Sequence, residues 1–340
     1  MESSVQLTSA VCLIFGTSFL IFYSTPFTCC VPPKLYPVSG PTHLRVQDDI
    51  QQHQHTFWTS KIYYALNEGI NNKQRSSDAK FLRLRPLLVM LGGHNWDSFN
   101  KLPPSALISS HHTCNLKISS LPRPVYRPTV GLVESKIILC NLDSREGYSL
   151  SKYDCWFFDL QKREDWKPMT IPPRPLYLQI GAVYNGKFFI IGGSVKPYDH
   201  ERAGTKTVQF FDPRLGKWEF GPELPAPLYE GCAVGTHFGL VVVGAFEENT
   251  DINAYVLNDN VWIPLPPSKH YHTSPGCGLA RIGKSWAVVV VSGRKVEYLI
   301  EGEGWKDLPD LNDEHHDSAS IGMDGNTLVV AGGTNRKIDI

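Results

Sequence analysis

Short apolar runs that end in glycine or another small residue recur along the chain. They are PLLVMLGG (86–93), KIILCN (136–141), KFFIIGGS (187–194), GLVVVGA (239–245), WAVVVVSG (286–293) and NTLVVAGG (326–333). Each run is rich in β-branched or aromatic residues, is flanked by turn residues and is too short for a buried helix. Each therefore predicts a strand buried on both faces. The runs recur at intervals of about fifty residues, and about forty for the last, which is typical of a propeller or a similar array.

Four tryptophans lie at a nearly constant distance ahead of the glycines that end these runs. The pairs are Trp166 with Gly192, Trp218 with Gly244, Trp262 with Gly293, and Trp305 with Gly332. A turn that contains proline follows each tryptophan, and an alternating strand such as TVQFFD (207–212) precedes three of them. A small-residue strand with glycine, such as QIGAVY (179–184), follows each turn. The constant order and spacing of these features predict a repeat unit of four strands.

The residue types suit a radial arrangement of such units. A four-stranded antiparallel sheet cannot bury both of its faces alone, whereas sheets stacked around an axis bury each other. Small residues fit the innermost strand, where the sheets crowd the axis. A Gly-Gly pair permits a sharp turn with positive φ, and tryptophan supplies a broad apolar surface between sheets.

The repeat resembles that of the kelch family of β-propellers. In that family an apolar strand ends in Gly-Gly, an aromatic-acid pair follows, and a tryptophan precedes a Leu-Pro turn. The best unit, from Leu176 to Pro225, contains Gly192-Gly193, Phe211-Asp212, Trp218 and Leu224-Pro225. The repeat glycines are Gly92, Gly93, Gly192, Gly193, Gly244, Gly293, Gly332 and Gly333. The resemblance covers roughly Pro86 to Ile340, and it implies an all-β fold.

The six runs imply a six-bladed kelch-type propeller of four-stranded antiparallel blades. Some units depart from the pattern, because Val243 precedes Gly244, Ser292 precedes Gly293, and Cys140-Asn141 replaces the glycine pair. The chain ends at Ile340, where the third strand of the last blade is expected. Its fourth strand would come from the N-terminal side, where residues 80–85 or the TFWTSKIYYAL stretch that begins at Thr56 could supply it, or would be missing.

The N-terminal part differs from the repeats. Residues 10–22 read AVCLIFGTSFLIF, an uncharged stretch whose length fits a signal peptide better than a membrane span. We predict a signal peptide or apolar anchor over residues 1–30, a polar linker over 31–80 and the propeller over 81–340. Secretion is the expected localisation. A cytoplasmic or membrane-anchored protein is the alternative, with membrane contact only if the leader stays uncleaved.

Composition narrows the classes of partner. The formal net charge is zero, from 33 basic and 33 acidic residues, which argues against a broadly basic nucleic-acid binder. Hydrophobic residues make up 42% and charged residues 19% of the chain, so most of it should fold.

The eight cysteines show no spacing typical of a zinc site. Cys140 ends the second strand of its unit and Cys155 opens the third, so a disulfide between them, or one that involves Cys114, would form in an oxidising compartment. The alternative is unpaired thiols. Cys232 and Cys277 lie at equivalent positions on innermost strands and are interpreted as small core residues.

Histidines also occur in pairs. His270 and His272 would point the same way on a strand and could share a metal ion. However, His315-His316 occupies the corresponding place in the next unit, so we interpret the histidines as part of the repeat. No metal or other cofactor is expected.

No hydrolase, nucleotide-binding or paired metal motif occurs in the chain, so an enzyme is not expected. The kelch resemblance also implies two alternatives: a copper-dependent oxidoreductase of the galactose-oxidase type, none of whose ligands can be matched here, and a cytosolic kelch adaptor of ubiquitin ligation, although no BTB-like or F-box-like domain fits ahead of Pro86. Instead we expect a non-enzymatic scaffold that binds a protein partner through long loops after the second strands. The candidate contact residues are Trp96, Arg145, Tyr198, His200 and Arg202.

Overall fold

The computed structural model describes most of the chain from Lys80 onward. The described residues are 80–84, 87–91, 106–109, 119, 121, 122, 125, 128–142, 153–162, 164–195, 204–246, 254–270, 272, 274–311, 318–322, 328–332 and 338–339. Every regular element within these ranges is a β-strand. The predicted leader and residues 31–79 of the predicted linker lie outside them, and Lys80 begins the first strand. Nowhere in the described part is there a helix long and apolar enough to cross a membrane.

The strands form six antiparallel sheets, each built from strands that follow one another in the chain. Sheet 1 has β1 (Lys80–Leu84), β2 (Leu87–Leu91) and β3 (Ala106–Ser109), and sheet 2 has β4 (Thr129–Val133), β5 (Lys136–Leu142), β6 (Tyr153–Asp159) and β7 (Lys167–Met169). Sheet 3 has β8 (Ile180–Tyr184), β9 (Lys187–Ile191), β10 (Val208–Asp212) and β11 (Lys217–Phe220), and sheet 4 has β12 (Leu228–Gly235), β13 (Leu240–Phe246), β14 (Ala254–Asn258) and β15 (Val261–Pro264). Sheet 5 has β16 (Gly276–Ile282), β17 (Ser285–Ser292), β18 (Lys295–Ile300) and β19 (Lys306–Leu308), and sheet 6 has β20 (Ser318–Gly322), β21 (Leu328–Gly332) and β22 (Ile338–Asp339).

The apolar runs form the second strands, and those of sheets 2 to 5 are buried on both faces as predicted. In β17, Val288 and Val290 join a cluster with residues of sheet 4. Val289 and Val291 join a second cluster, which includes Val330 of sheet 6. Because successive side chains of a strand point to opposite faces, an unbroken apolar run packs against both neighbouring sheets.

The first strand of each sheet contacts the first strand of the next. These contacts run from β1 to β4, β8, β12, β16 and β20, and β20 also contacts β1. Small residues allow the close approach: a Cβ added to Gly181 would lie 2.5 Å from Thr129 Cγ2 on the neighbouring innermost strand. The structure thus confirms the propeller architecture. Sheets 1 and 6 are described with three strands each, so the number of complete blades stays a prediction.

One sequence expectation about the ring is wrong. Residues 80–85 were expected to be able to supply the fourth strand of the last blade. Instead, β1 pairs with β2, in a register that runs from Lys80 opposite Leu91 to Leu84 opposite Leu87. β1 is therefore the first strand of sheet 1, because the short connection at residues 85–86 favours pairing with its neighbour in the chain. The other candidate, the stretch from Thr56, lies outside the described residues.

Candidate functional site

The four repeat tryptophans fasten their sheets to the segments that come before them. Each indole Nε1 donates a hydrogen bond to a distant backbone carbonyl. The pairs are Trp166 with Ser119 O at 3.0 Å, Trp218 with Thr170 O at 2.8 Å, Trp262 with Pro222 O at 2.9 Å, and Trp305 with Pro266 O at 2.7 Å. The last three acceptors come shortly after the outer strand of the preceding sheet. Trp218, Trp262 and Trp305 also pack in apolar clusters that include residues of the preceding sheet, so these three indoles combine packing between sheets with a polar contact that the sequence pattern did not indicate.

The repeat glycines serve two different purposes. Gly192 and Gly193 have φ values of 62° and 102°, and the Gly193 amide donates to Leu228 O, at the start of β12, at 2.8 Å. A Cβ on Gly192 would lie 2.4 Å from the same carbonyl oxygen, so the pair permits both the turn and the contact with sheet 4. Gly244 has no positive φ, but a Cβ there would lie 2.4 Å from Glu230 O. It is therefore a position of close strand approach.

The remaining repeat glycines are distributed as follows. Gly293 has a φ of 59° at the turn between β17 and β18, and Gly332 ends β21. Gly92, Gly93 and Gly333 lie outside the described residues.

The aromatic-acid pair of sheet 3 closes the turn after its third strand. Asp212 Oδ1 accepts a hydrogen bond from the Arg214 amide at 2.9 Å, and Asp212 Oδ2 lies 3.1 Å from Lys187 Nζ. Burial raises the pKa of Asp212, but the hydrogen bonds from Lys187 and Arg214 outweigh it, so the pKa lies below its usual value. The acid of this pair therefore acts as a turn residue.

Two polar side chains that the sequence analysis did not single out lie fully buried on third strands. Gln209 on β10 accepts from the Arg174 amide at 2.7 Å through Oε1 and donates to Arg174 O at 2.8 Å through Nε2. Glu297 on β18 accepts from the Lys269 amide at 2.8 Å and from the His270 amide at 3.1 Å. Each holds the segment that leads into its own sheet's innermost strand. The available signal was a polar residue within an apolar strand, in TVQFFD and KVEYLI.

The two histidines proposed as possible metal partners contact different carboxylates. His272 Nε2 lies 2.8 Å from Glu297 Oε1, and both side chains are fully buried. His270 Nε2 lies 2.9 Å from Asp307 Oδ1 near the surface, where Lys269 Nζ contacts the other Asp307 oxygen at 2.7 Å. The residues described in the structure contain no group of three or more metal-ligating side chains. The pattern of alternate histidines therefore does not produce one shared site here.

Burial raises the pKa of Glu297, as expected for a carboxyl group removed from water. The contact with His272 and the amide hydrogen bonds from Lys269 and His270 lower it by more, so the pKa lies below its usual range. Glu297 is therefore a carboxylate that anchors a loop backbone and a buried imidazole at once.

Two disulfides occur in the described part of the chain. Cys140 and Cys155 are register partners on β5 and β6 and form one of them, with Cα atoms 4.1 Å apart. Cys232 and Cys277 form the other, from β12 to β16, with Cα atoms 5.7 Å apart. Cys232 and Cys277 do lie in one apolar cluster, as expected of core residues, but the sequence analysis did not anticipate their bond, which forms because adjacent innermost strands bring equivalent positions together. Cys114 lies outside the described residues.

The two faces of the disc differ in their connections. On one face the first strand turns into the second, mostly through two-residue turns such as Asn185-Gly186 and Gly283-Lys284. The third strand turns into the fourth on the same face, and the longest of these connections in sheets 2 to 5 is 160–166. The other face, here called the loop face, receives the connections from second to third strands and from each sheet to the next. Its longest second-to-third connections span residues 92–105, 143–152 and 192–207.

A hydrogen bond between two side chains joins neighbouring sheets at the loop face. Tyr153, the first residue of β6, donates its hydroxyl hydrogen to Gln179 Oε1 at 2.8 Å and so ties sheet 2 to the segment ahead of β8. Burial raises the pKa of Tyr153. The candidate contact residues, Trp96, Arg145, Tyr198, His200 and Arg202, all lie outside the described residues. Their part in binding stays a prediction.

Comparisons with known proteins agree with this architecture. A human protein, "Kelch repeat and BTB domain-containing protein 13", is 24% identical over 135 residues, which is 39% of this chain and 28% of that protein. A solved structure titled "Structure of YjhT" superposes with a TM-score of 0.58 at 12% identity and covers 78% of this chain and 93% of that one. No family model matches the chain. The resemblance to kelch-repeat proteins is confirmed, and the chain spans about a quarter of the length of the human relative.

Proposed function

We propose that this chain is a non-enzymatic protein-binding scaffold that presents its loop face to a partner. The observation that carries the proposal is the asymmetry between the two faces. One face has mostly short hairpin turns, whereas the other has long connections from several sheets. A rigid scaffold that displays variable segments on one side is a common arrangement for recognition.

Buried side chains of third strands anchor the backbone of connections on the loop face. Gln209 fixes the backbone at Arg174, and Glu297 fixes the backbone at Lys269 and His270. Both side chains are fully buried, so the segments they hold are tied to the core of a sheet. A preorganised surface loses less conformational entropy when it binds, which favours recognition by the segments it displays.

The chemistry of the long connections supports a protein as the partner. Residues 92–105, 143–152 and 192–207 contain aromatic and charged side chains of both signs. Trp, Tyr and Arg are the residue types that carry most binding energy at protein interfaces, and Trp96, Arg145, Tyr198 and Arg202 are of these types. The zero net charge gives no comparable support for nucleic acid.

We also propose that the chain functions outside the cell. The two disulfides support an oxidising compartment, because disulfides form and persist in secreted proteins and are rare in the cytosol. A tagged full chain expressed in cultured cells should then appear in the medium with its leader removed. Retention in the cytosol with reduced cysteines would contradict this placement.

The binding function is tested by variants on the two faces. In one set, residues 143–152 or 196–203 are replaced by Gly-Ser segments of equal length. In the matched set, the Asn185-Gly186 turn on the opposite face is replaced by Gly-Asn and the Gly283-Lys284 turn by Asn-Gly. The partner is first identified by crosslinking to the unmodified chain, and its affinity is then measured for each variant. We expect at least one loop variant to lose about tenfold or more in affinity while the turn variants keep it. Loss of affinity in the turn variants, with unchanged affinity in the loop variants, would refute the assignment of the binding surface to the loop face.

The human relative's name favours one alternative, an adaptor that works together with a BTB domain. That alternative predicts a cytosolic chain that co-purifies with a BTB protein and keeps free thiols. The copper-oxidoreductase alternative predicts stoichiometric copper in the purified full chain, together with oxidation of a primary hydroxyl group of a sugar. Metal analysis of the purified protein therefore separates an enzyme of that type from a scaffold.

A further inference from the structure

The disulfide between Cys232 and Cys277 joins two sheets, whereas the one between Cys140 and Cys155 lies within a single sheet. Cys232 lies on β12, opposite Val243 of the same sheet, and Cys277 lies on β16, opposite Val290. β12 and β16 are the innermost strands of sheets 4 and 5 and belong to different hydrogen-bonded sheets. This disulfide is therefore a covalent link across the seam between two neighbouring blades.

The two disulfides differ in exposure. Cys140 and Cys155 have exposed fractions of 0% and 2%. Cys232 is exposed by 8%, and Cys277 is only partly buried. Cleavage of a disulfide requires a thiolate to reach one of its sulfur atoms, so access controls the rate when the attacking thiol is the same. The link between the sheets is accordingly the more accessible of the two.

A second contact crosses the same seam close to this disulfide. Ser274 Oγ donates to Glu230 Oε2 at 2.7 Å, and these residues lie a few positions before Cys277 and Cys232 in the chain. Ser274 belongs to the connection between β15 and β16, which is part of the loop face. The same connection is held by Glu297 at its Lys269 end. The disulfide thus lies beside one of two anchors of this connection.

Apolar packing across the seam does not depend on the disulfide. Val241 and Val243 of sheet 4 and Val288 and Val290 of sheet 5 are all fully buried in one cluster with Trp305. Loss of the covalent link would therefore loosen the innermost strands and leave the two sheets associated.

We propose that the disulfide between Cys232 and Cys277 is a redox-sensitive link that controls the order of the 265–275 connection on the loop face. The co-reactant is a small dithiol. One of its thiolates attacks the Cys277 sulfur, forms a mixed disulfide and releases Cys232 as a thiolate that takes up a proton. The second thiol then attacks the mixed disulfide and releases Cys277 as a thiol. The protein disulfide gains two electrons and two protons, and the dithiol is oxidised to a cyclic disulfide.

The order of reduction is measured on the full oxidised chain under native conditions. The chain is incubated with dithiothreitol for increasing times, and the thiols formed at each time are alkylated. The modified cysteines are then identified by peptide mass spectrometry. We expect Cys232 and Cys277 to become modified at least about tenfold faster than Cys140 and Cys155. Reduction of the two disulfides at equal rates, or of Cys140 and Cys155 first, would overturn the proposal.

The structural consequence is measured by hydrogen exchange in the same samples. We expect faster exchange in residues 265–275 and in β12 and β16 after partial reduction, with no change in sheet 2. The double variant Cys232→Ser/Cys277→Ser should show the same pattern without any reductant. Its matched control, Cys140→Ser/Cys155→Ser, should leave residues 265–275 unchanged. Unchanged exchange in residues 265–275 upon reduction would overturn the proposal.

The link to binding rests on the proposed function and can fail separately from it. If the partner's affinity is the same before and after selective reduction, redox control of binding is refuted while the scaffold function stands. If the loop variants do not change affinity, the scaffold function is refuted, and the order of reduction and the exchange pattern still test the redox-sensitive link by themselves.

Discussion

Replacement of Glu297 by glutamine should destabilise the propeller at the anchor of the 265–275 connection. The carboxylate accepts hydrogen bonds from the Lys269 and His270 amides and lies 2.8 Å from His272 Nε2. In Glu297→Gln one oxygen becomes an NH₂ group, which cannot accept a hydrogen bond. At least one of these donors then loses its partner.

The expected magnitude follows from the burial of this site. Both the Glu297 and His272 side chains are inaccessible to solvent, so water cannot replace the lost acceptor. A buried donor without a partner costs about 1–3 kcal/mol, and Glu297→Ala, which removes both oxygens, should cost about 3–5 kcal/mol. The assay is urea unfolding followed by tryptophan fluorescence, at constant protein concentration and with both disulfides intact.

The matched control is Asp307→Asn. Asp307 contacts Lys269 and His270 from the neighbouring strand, but it does so at the surface, where water replaces a lost contact. We expect this variant to keep the unfolding midpoint of the parent protein. Equal midpoints for Glu297→Gln and the parent, or equal losses in Glu297→Gln and Asp307→Asn, would refute the reasoning.

The pH dependence of the same pair has a definite sign. The pKa of Glu297 is lowered in the folded state from the ordinary value of 4.5. Its contribution to stability is therefore fully present above pH 4.5 and is lost as the pH falls through the folded-state pKa. The difference in stability between the parent and Glu297→Gln should shrink as the pH falls below 4.5.

Three further predictions concern the repeat and its disulfides. Trp305→Phe keeps an aromatic ring but removes the donor to Pro266 O, so unfolding in urea should show a loss of about 1 kcal/mol, and an unchanged midpoint would contradict the polar role of the indole. Gly193→Ala places a Cβ 2.6 Å from Tyr177 O at a φ of 102°, whereas Gly186→Ala meets no atom within 4 Å at a φ of 70°. Thermal unfolding should therefore show a loss of about 1–2 kcal/mol for Gly186→Ala and a larger loss for Gly193→Ala, and equal losses would show that close approach is unimportant at Gly193. Cys140→Ser/Cys155→Ser removes a bond that spans 15 residues of sequence, so it should cost about 3 kcal/mol relative to the oxidised parent, and equal stability of the two would count against a structural role for this disulfide.

The repeat was predictable because its signals are local. An apolar run such as 286–293 specifies a strand that packs on both sides, and the tryptophan and proline positions fix the phase of the other strands. Each of these features can be read from a stretch shorter than one unit. The second strands, the turn at Gly192-Gly193 and the positions of the repeat tryptophans therefore agree with the structure.

Contacts between segments that lie far apart in the sequence were less predictable. Glu297 was visible only as a polar residue in an apolar strand, and its partners lie in a loop 27 and 28 residues away in the sequence. The alternation of His270 and His272 suggested a common direction, but the backbone there is a loop outside any strand, so the period of two does not apply.

The sequence by itself determined the strands and their order, because the burial of each strand is encoded in the side chains of that strand. The tertiary structure alone decided that Cys232 pairs with Cys277 and that Glu297 binds the backbone of the 265–275 connection. These outcomes depend on distances between residues that are far apart in the chain. Such distances are set only when the sheets pack around a common axis.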